Sequence, residues 1–221
     1  MNDKKAAGEK AAEYVKDGMV IGLGTGSTVY YTICKIGSMV RDGLKIKAVS
    51  TSQATNDIAV KLGIPMVDLN CIDYIDITID GADEVDTSLN GIKGGGGALL
   101  LEKIVATYSK YNIWVIDSNK YVSKLGRFPV PVEVIPNSYM HLSRLFEKND
   151  MNPILRMKNG EVFTTDSGNY ILDLNMKYIE KVHELNSWLN NITGVVEHGL
   201  FINIVDKVII AKNEEINILT R

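Results

Sequence analysis

Short apolar runs that end in glycine or acidic loops and then give way to helical spacing recur through the first half of this 221-residue chain. Residues 3–17 carry Ala7, Ala11, Tyr14 and Val15 at helical spacing and close on Lys16-Asp17-Gly18. Met19-Val20-Ile21 then has strand character, enters a glycine loop, and a helix pattern follows to about Met39. The order repeats: strand at Lys45–Val49, helix at Ser52–Leu62 closed by Gly63 and Pro65, strand at Tyr74–Ile79, helix at Leu99–Tyr111, strand at Ile113–Ile116. Strands alternating with helices of this length imply right-handed crossovers and a parallel sheet.

The pattern changes near Phe128-Pro129-Val130-Pro131. Strand (Val132–Ile135), helix (Tyr139–Lys148), strand (Ile154–Met157), strand (Tyr170–Leu174), helix (Ile179–Leu189) and strand (Leu200–Ile204) follow, the split βαββαβ order of a ferredoxin-like unit. The apolar runs Val208–Ala211 and Ile216–Leu219 return to the first sheet. The expected fold is therefore α/β, a Rossmann-like parallel sheet flanked by helices (residues 1–128 and 205–221) with a smaller ferredoxin-like α+β domain (residues 129–204).

An apolar share of 45% suits an ordinary buried core. Net charge is −3 with basic residues scattered, which argues against nucleic-acid or membrane-surface binding. No apolar run approaches the ~20 residues of a membrane span, and the first residues lead into a polar helix pattern with no signal-peptide core, so a cytoplasmic protein is expected. Cys34 and Cys71 stand far apart and read as small hydrophobes in a reducing compartment.

Three loops carry chemistry. Gly22-Leu23-Gly24-Thr25-Gly26-Ser27-Thr28 aims backbone N–H groups and a helix start at an anion, with Thr25, Ser27 and Thr28 as hydroxyl donors around Gly26. The plainer reading is a tight turn with Ser27 or Thr28 as N-cap, and the two can coexist. It is not a Walker A loop, and a dinucleotide site fits poorly: the glycines fall as G-x-G-x-G and the second strand ends in Ser50-Thr51-Ser52-Gln53 with no carboxylate. Asp80-Gly81-Ala82-Asp83 follows the isoleucine alternation, placing Asp80 and Asp83 beyond a strand end. These carboxylates could hold sugar hydroxyls or move protons; an Asx-rich turn is the bland alternative, and Glu84 and Asp86 read as solvated charges. Lys93-Gly94-Gly95-Gly96-Gly97 strips side chains from a stretch of backbone next to a cation, and Glu102 follows on a helix at the edge of its buried side. Alone, Glu102 would be a surface glutamate. After the glycine run it becomes a candidate general base, with Lys93 offsetting a phosphate or an oxyanion. Lys120 also lies past a strand end. His141, His183 and His198 fall in no motif, and Trp114 and Trp188 read as core.

With these residues assembled, the chain resembles ribose-5-phosphate isomerase of type A, nearly end to end. The resemblance extends through Phe128–Val134, Thr165-Asp166-Ser167-Gly168-Asn169 and Gly194–Phe201. It implies reversible conversion of D-ribose 5-phosphate to D-ribulose 5-phosphate in the non-oxidative pentose phosphate pathway, without metal or organic cofactor, in a homodimer or higher homo-oligomer. By motif it makes Glu102 the proton acceptor. It assigns the sugar phosphate to Thr25, Gly26, Ser27, Thr28, Asp80, Gly81, Ala82, Asp83, Lys93, Gly94, Gly95, Gly96 and Lys120, with Lys4 near the phosphate. Where the family carries Thr-Arg before the glutamate, this chain has Leu100 and Leu101. A non-catalytic sugar-phosphate sensor of the same fold and a CoA-transferase-like enzyme are the rival readings. Sensors of that kind carry an attached helix-turn-helix, whereas this chain starts within a few residues of its first domain helix and has no basic face; short length and the Asp80–Asp83 loop favour the isomerase over the transferase.

Overall fold

The structure, a computed structural model, describes residues 3–213 and 215–221. In chain order its elements are α1 (Asp3–Ala12), β1 (Val20–Leu23), α2 (Val29–Arg41), β2 (Lys47–Ser50), α3 (Gln53–Lys61), β3 (Ile77–Gly81), β4 (Glu84–Val85), β5 (Gly91–Ile92), α4 (Leu99–Thr107) and β6 (Asn112–Asp117). There follow β7 (Val130–Val134), α5 (Tyr139–Glu147), β8 (Pro153–Leu155), β9 (Met157–Lys158), β10 (Glu161–Val162), β11 (Tyr170–Leu174), α6 (Val182–Asn190), β12 (Val195–His198), β13 (Leu200–Phe201), β14 (Lys207–Lys212) and β15 (Glu215–Thr220). The chain divides into two compact units. One holds the residues up to Ala82, Leu101–Tyr121 and Asn203–Arg221, and the other holds Asp83–Leu100 and Val122–Ile202.

Among the described residues, the first unit contains one six-stranded sheet of order β15-β14-β6-β3-β1-β2, parallel except for the antiparallel edge strand β15. Period-two alternation puts Ile21, Leu23, Ile77, Ile79, Ile113 and Val115 into one core with Ala7 and Ala11 of α1 and Val29, Ile33 and Ile36 of α2. Burying each of the larger side chains contributes ~1.5–3 kcal/mol relative to exposure. A second cluster joins Val105 of α4 to Val49 and Ile75. Gly22 makes that packing possible, because a Cβ there would sit 1.9 Å from Thr78 Oγ1 and 2.8 Å from Val105 Cγ1. From β1 the chain crosses to β2 on one side, then returns to place β3 on the other. The loops after β1 and β3 therefore flank the point where strand order reverses, the usual ligand position of such sheets.

Local chemistry sets the boundaries, and some fall short of the sequence reading. Helix α1 stops at Ala12 because Glu13, Tyr14 and Val15 donate three residues back, a tightened last turn. Strand β3 begins at Ile77, not Tyr74. Ile75 exchanges backbone hydrogen bonds with the segment after α4, donating to Tyr108 O and accepting from Lys110 N, so both that strand start and the last turn of the expected helix are used up there. Helix α3 has the expected ends: Ser52 accepts from Thr55 N at 3.1 Å, and Gly63 takes φ +76°.

In the second unit, β7, α5, β8, β11, α6 and β12 form a four-stranded antiparallel sheet of order β12-β7-β11-β8 with two helices, the ferredoxin-like arrangement. Its core joins Val130, Val132 and Val134 to Leu172, Leu174, Leu142, Phe146 and Leu189. The fourth strand is Val195–His198, not Leu200–Ile204. The chain turns at Gly199, which donates to Pro131 O and accepts from Lys93 N, and Leu200–Phe201 pairs instead with β5 in a small sheet β13-β5-β4. A Cβ on Gly199 would lie 2.3 Å from Lys93 O. The β9–β10 hairpin turns through Asn159 and Gly160, both at positive φ.

Candidate active site

In the first unit, Leu23 ends β1 and the next peptides fold against β3: Gly24 N donates to Ile79 O at 2.9 Å and Thr25 N to Asp80 Oδ1 at 3.0 Å. The Asp80 oxygen also accepts from its neighbour Gly81 N at 2.7 Å. Asp80 lies inside β3 rather than beyond it and is 2% exposed. Its carboxyl occupies the space a side chain at position 24 would need, since a Cβ there would be 2.0 Å from Oδ1.

Thr25 Oγ1 enters a cluster with Thr51, Ser52 and Thr55 at 2.7, 2.8 and 3.2 Å, and Thr55 also donates to Gly24 O at 2.9 Å. The segment after β1 is thus held by Thr51 and Ser52, which follow β2, through the Thr25 side chain, and by Thr55 of α3 through the Gly24 carbonyl. Thr28 is buried at the N-cap position of α2 but makes no side-chain cap bond, so the capping reading is corrected. Exposed Ser27 accepts from Lys4 Nζ at 2.9 Å, which brings the N-terminal lysine to this loop. Lys120 donates to Ala82 O at 2.7 Å, tying the turn after β6 to the end of the Asp80–Ala82 segment. Glu102 occupies the first turn of α4, where the positive end of the helix dipole favours a carboxylate, and is 5% exposed rather than on the surface.

In the second unit, Asp83 Oδ2 accepts from Gly95 N at 2.8 Å, and Asp83 N donates to Ile92 O. Lys93 is 2% exposed, with its Nζ 5.4 Å from the centre of the Phe201 ring. Gly94 to Gly97 form a turn in which Gly97 N donates to Gly94 O. Side chains are excluded sterically: a Cβ on Gly94 would meet Leu99 at 2.8 Å, one on Gly95 both Asp83 oxygens at 2.9 Å, and one on Gly97 the Phe163 ring at 2.4 Å. The glycines serve close packing as well as bare backbone.

Two acidic residues depart from the sequence reading or were not singled out by it. Glu84, expected to be solvated, is fully buried: its carboxylate accepts from Gly126 N at 2.8 Å and Phe128 N at 2.9 Å. Glu133 is 1% exposed and accepts from Thr165 Oγ1 and Asn169 Nδ2 at 2.8 and 2.9 Å. Burial pushes its carboxyl above the ordinary value, against those two hydrogen bonds. The signal for this pair of partners was the Thr165–Asn169 motif. His198 is buried, with Nδ1 accepting from Leu200 N and Nε2 3.0 Å from Asn190 Oδ1, a structural position within the second unit. Among the described residues no group of three or more His, Cys, Asp and Glu is placed to hold a metal ion.

The family model for ribose 5-phosphate isomerase A (phosphoriboisomerase A) matches residues 47–215. A ribose-5-phosphate isomerase A of Listeria monocytogenes is 52% identical over 223 residues, covering all of both chains. The chain belongs to the ribose 5-phosphate isomerase A family. Its relatives there are enzymes. A solved D-ribose-5-phosphate isomerase in complex with phospho-erythronic acid superposes with TM-score 0.96 at 38% identity over the whole of each chain. The ribose 5-phosphate isomerase A of Methanocaldococcus jannaschii gives TM-score 0.94 at 39% identity, over 99% of this chain and 98% of that one.

Proposed function

We propose that this chain interconverts D-ribose 5-phosphate and D-ribulose 5-phosphate through a cis-enediolate, as a step of the non-oxidative pentose phosphate pathway. The observation that carries the reading is a carboxylate, Glu102, buried in the first turn of a helix in a chain whose full-length relatives are named for this isomerisation. The C2 proton of the sugar is a weak acid, so its removal needs a positioned base and a group that holds the developing oxyanion. Glu102 takes the proton from C2 and returns it to C1. Lys93, a buried cation, stabilises the enediolate oxygen together with glycine N–H groups of the loop that follows it. Asp80 and Asp83 move hydroxyl protons during ring opening and between O1 and O2.

The phosphate and hydroxyls are gripped by Thr25–Thr28, Gly81, Ala82, Gly94–Gly96 and Lys120, with Lys4 beside Ser27. Remote phosphate binding then holds the reacting carbons in a productive pose. The reading includes a homo-oligomer, dimer or higher, in the cytoplasm. A coupled assay of ribulose 5-phosphate formation, with and without chelator, is the test. Turnover unaffected by chelator is expected. Saturable binding of ribose 5-phosphate without turnover would leave only a sensor.

A further inference from the structure

Arg156 lies between β8 and β9, outside every motif considered above. Its guanidinium is clasped by Asp173 of β11, with Nε 2.9 Å from Oδ2 and Nη2 bonded to Oδ1. Both side chains are largely buried, at 14% and 19% exposure. The remaining nitrogen, Nη1, donates to Gly94 O at 2.8 Å and reaches Gly95 O at 3.3 Å. Those carbonyls belong to the Gly94–Gly95 and Gly95–Gly96 peptides. Among the described residues no peptide bond is cis, so each N–H points opposite to its carbonyl. With both carbonyls turned toward one guanidinium, the N–H groups of Gly95 and Gly96 are both turned away from it. The first of these ends on Asp83 Oδ2 at 2.8 Å. The Gly94–Gly95 peptide is thus pinned at both ends, by a guanidinium at its oxygen and a carboxylate at its nitrogen. Glycine backbone has the widest choice of conformations of any residue, so a run of four needs such external fixing to present its N–H groups in one direction.

We propose that Arg156, oriented by Asp173, is a positioning residue for the isomerisation: it sets the direction of the glycine-loop N–H groups and the seat of Asp83. This rests on the functional reading above. A guanidinium is needed because the fork engages Asp173 with two nitrogens and still presents a third to the loop, which an ammonium on a flexible stem does not do. Phe163, which follows the β9–β10 hairpin, lies under Gly97 and 5.9 Å from the Arg156 guanidinium, so hairpin and loop pack as one piece.

The test is steady-state kinetics of Arg156→Met, Arg156→Lys, Asp173→Asn and Lys158→Ala, with the inhibition constant for phospho-erythronic acid and far-ultraviolet circular dichroism of each. Arg156→Met is expected to fold and to lose ~100-fold in kcat, the scale of a small misplacement of catalytic groups. KM should change far less, Arg156→Lys should fail to rescue, and added guanidinium ion should partly restore kcat to Arg156→Met. Asp173→Asn should lower kcat in the same direction, and the double variant should fall by less than the product of the two single losses. Lys158→Ala, which removes a cation from the same hairpin, should match wild type. Wild-type kcat in folded Arg156→Met, full rescue by lysine, or an equal loss in Lys158→Ala would overturn the assignment. A wild-type protein without isomerase activity would instead overturn the functional reading and leave the clamp to be judged by loop geometry in a crystal structure of Arg156→Met, where unchanged Gly94–Gly96 peptides would refute it.

Discussion

Glu102 and Glu84 show how far a single residue can be understood from its neighbours in sequence. Glu102 was legible as more than a surface charge because a lysine and four glycines precede it, and it is indeed buried. Glu84 was not legible. The groups that hold it, Gly126 N and Phe128 N, are more than 40 residues away, and nothing local distinguishes it from a solvated glutamate. Glu133 gives a pH signature at this scale. Its carboxyl is raised by burial, with the charges of Glu197 and Asp166 adding to the rise and the bonds from Asn169 and Thr165 opposing it. A carboxyl with a higher folded than unfolded pKa holds its proton better when folded. Its contribution is therefore present below the ordinary carboxylate range and lost as pH rises through the raised value. Glu133→Gln keeps an oxygen to accept both hydrogen bonds and removes the ionisation. Urea midpoints measured from pH ~4.5 to neutrality should fall less with pH than wild type. Parallel curves for the two proteins would contradict this.

At the scale of elements, periodicity found every long helix, all six strands of the first unit's sheet and three of the four strands of the second unit's sheet, because apolar spacing reports the buried face directly. It missed where partners change. The segment Leu200–Ile204 is as apolar as a sheet strand, yet Gly199 redirects it to β5. The Asn159-Gly160 pair was a readable hairpin signal, but two-residue strands on either side are too short for alternation to show. Close approach of elements was also invisible: the contact of the β1–α2 loop with β3 depends on a glycine whose constraint comes from Asp80. Gly24→Ala would drive a methyl into that carboxyl, 2.0 Å from Oδ1 and 2.5 Å from Asp80 Cα. We expect a loss of ~1–3 kcal/mol in unfolding free energy, as for other overpacked sites, together with a fall in kcat as Asp80 is displaced. Thermal unfolding and steady-state kinetics check both, and an alanine variant with wild-type values would show that β1 and β3 part without penalty.

For the whole molecule, the parallel sheet and the ferredoxin-like unit were both readable, since each follows from element order and handedness rules rather than from any one contact. The assignment of residues to units was less so: Asp83–Leu100, which interrupts the first unit in sequence, belongs to the second. The proposed chemistry rests on Glu102 carrying the proton between the two carbons. The direct measurement is turnover of ribose 5-phosphate by purified Glu102→Gln, read beside the affinity of the same sample for ribose 5-phosphate. A fall in kcat of ~100–10,000-fold with substrate binding retained is expected of a lost general base, whereas wild-type turnover by the glutamine variant would contradict the account.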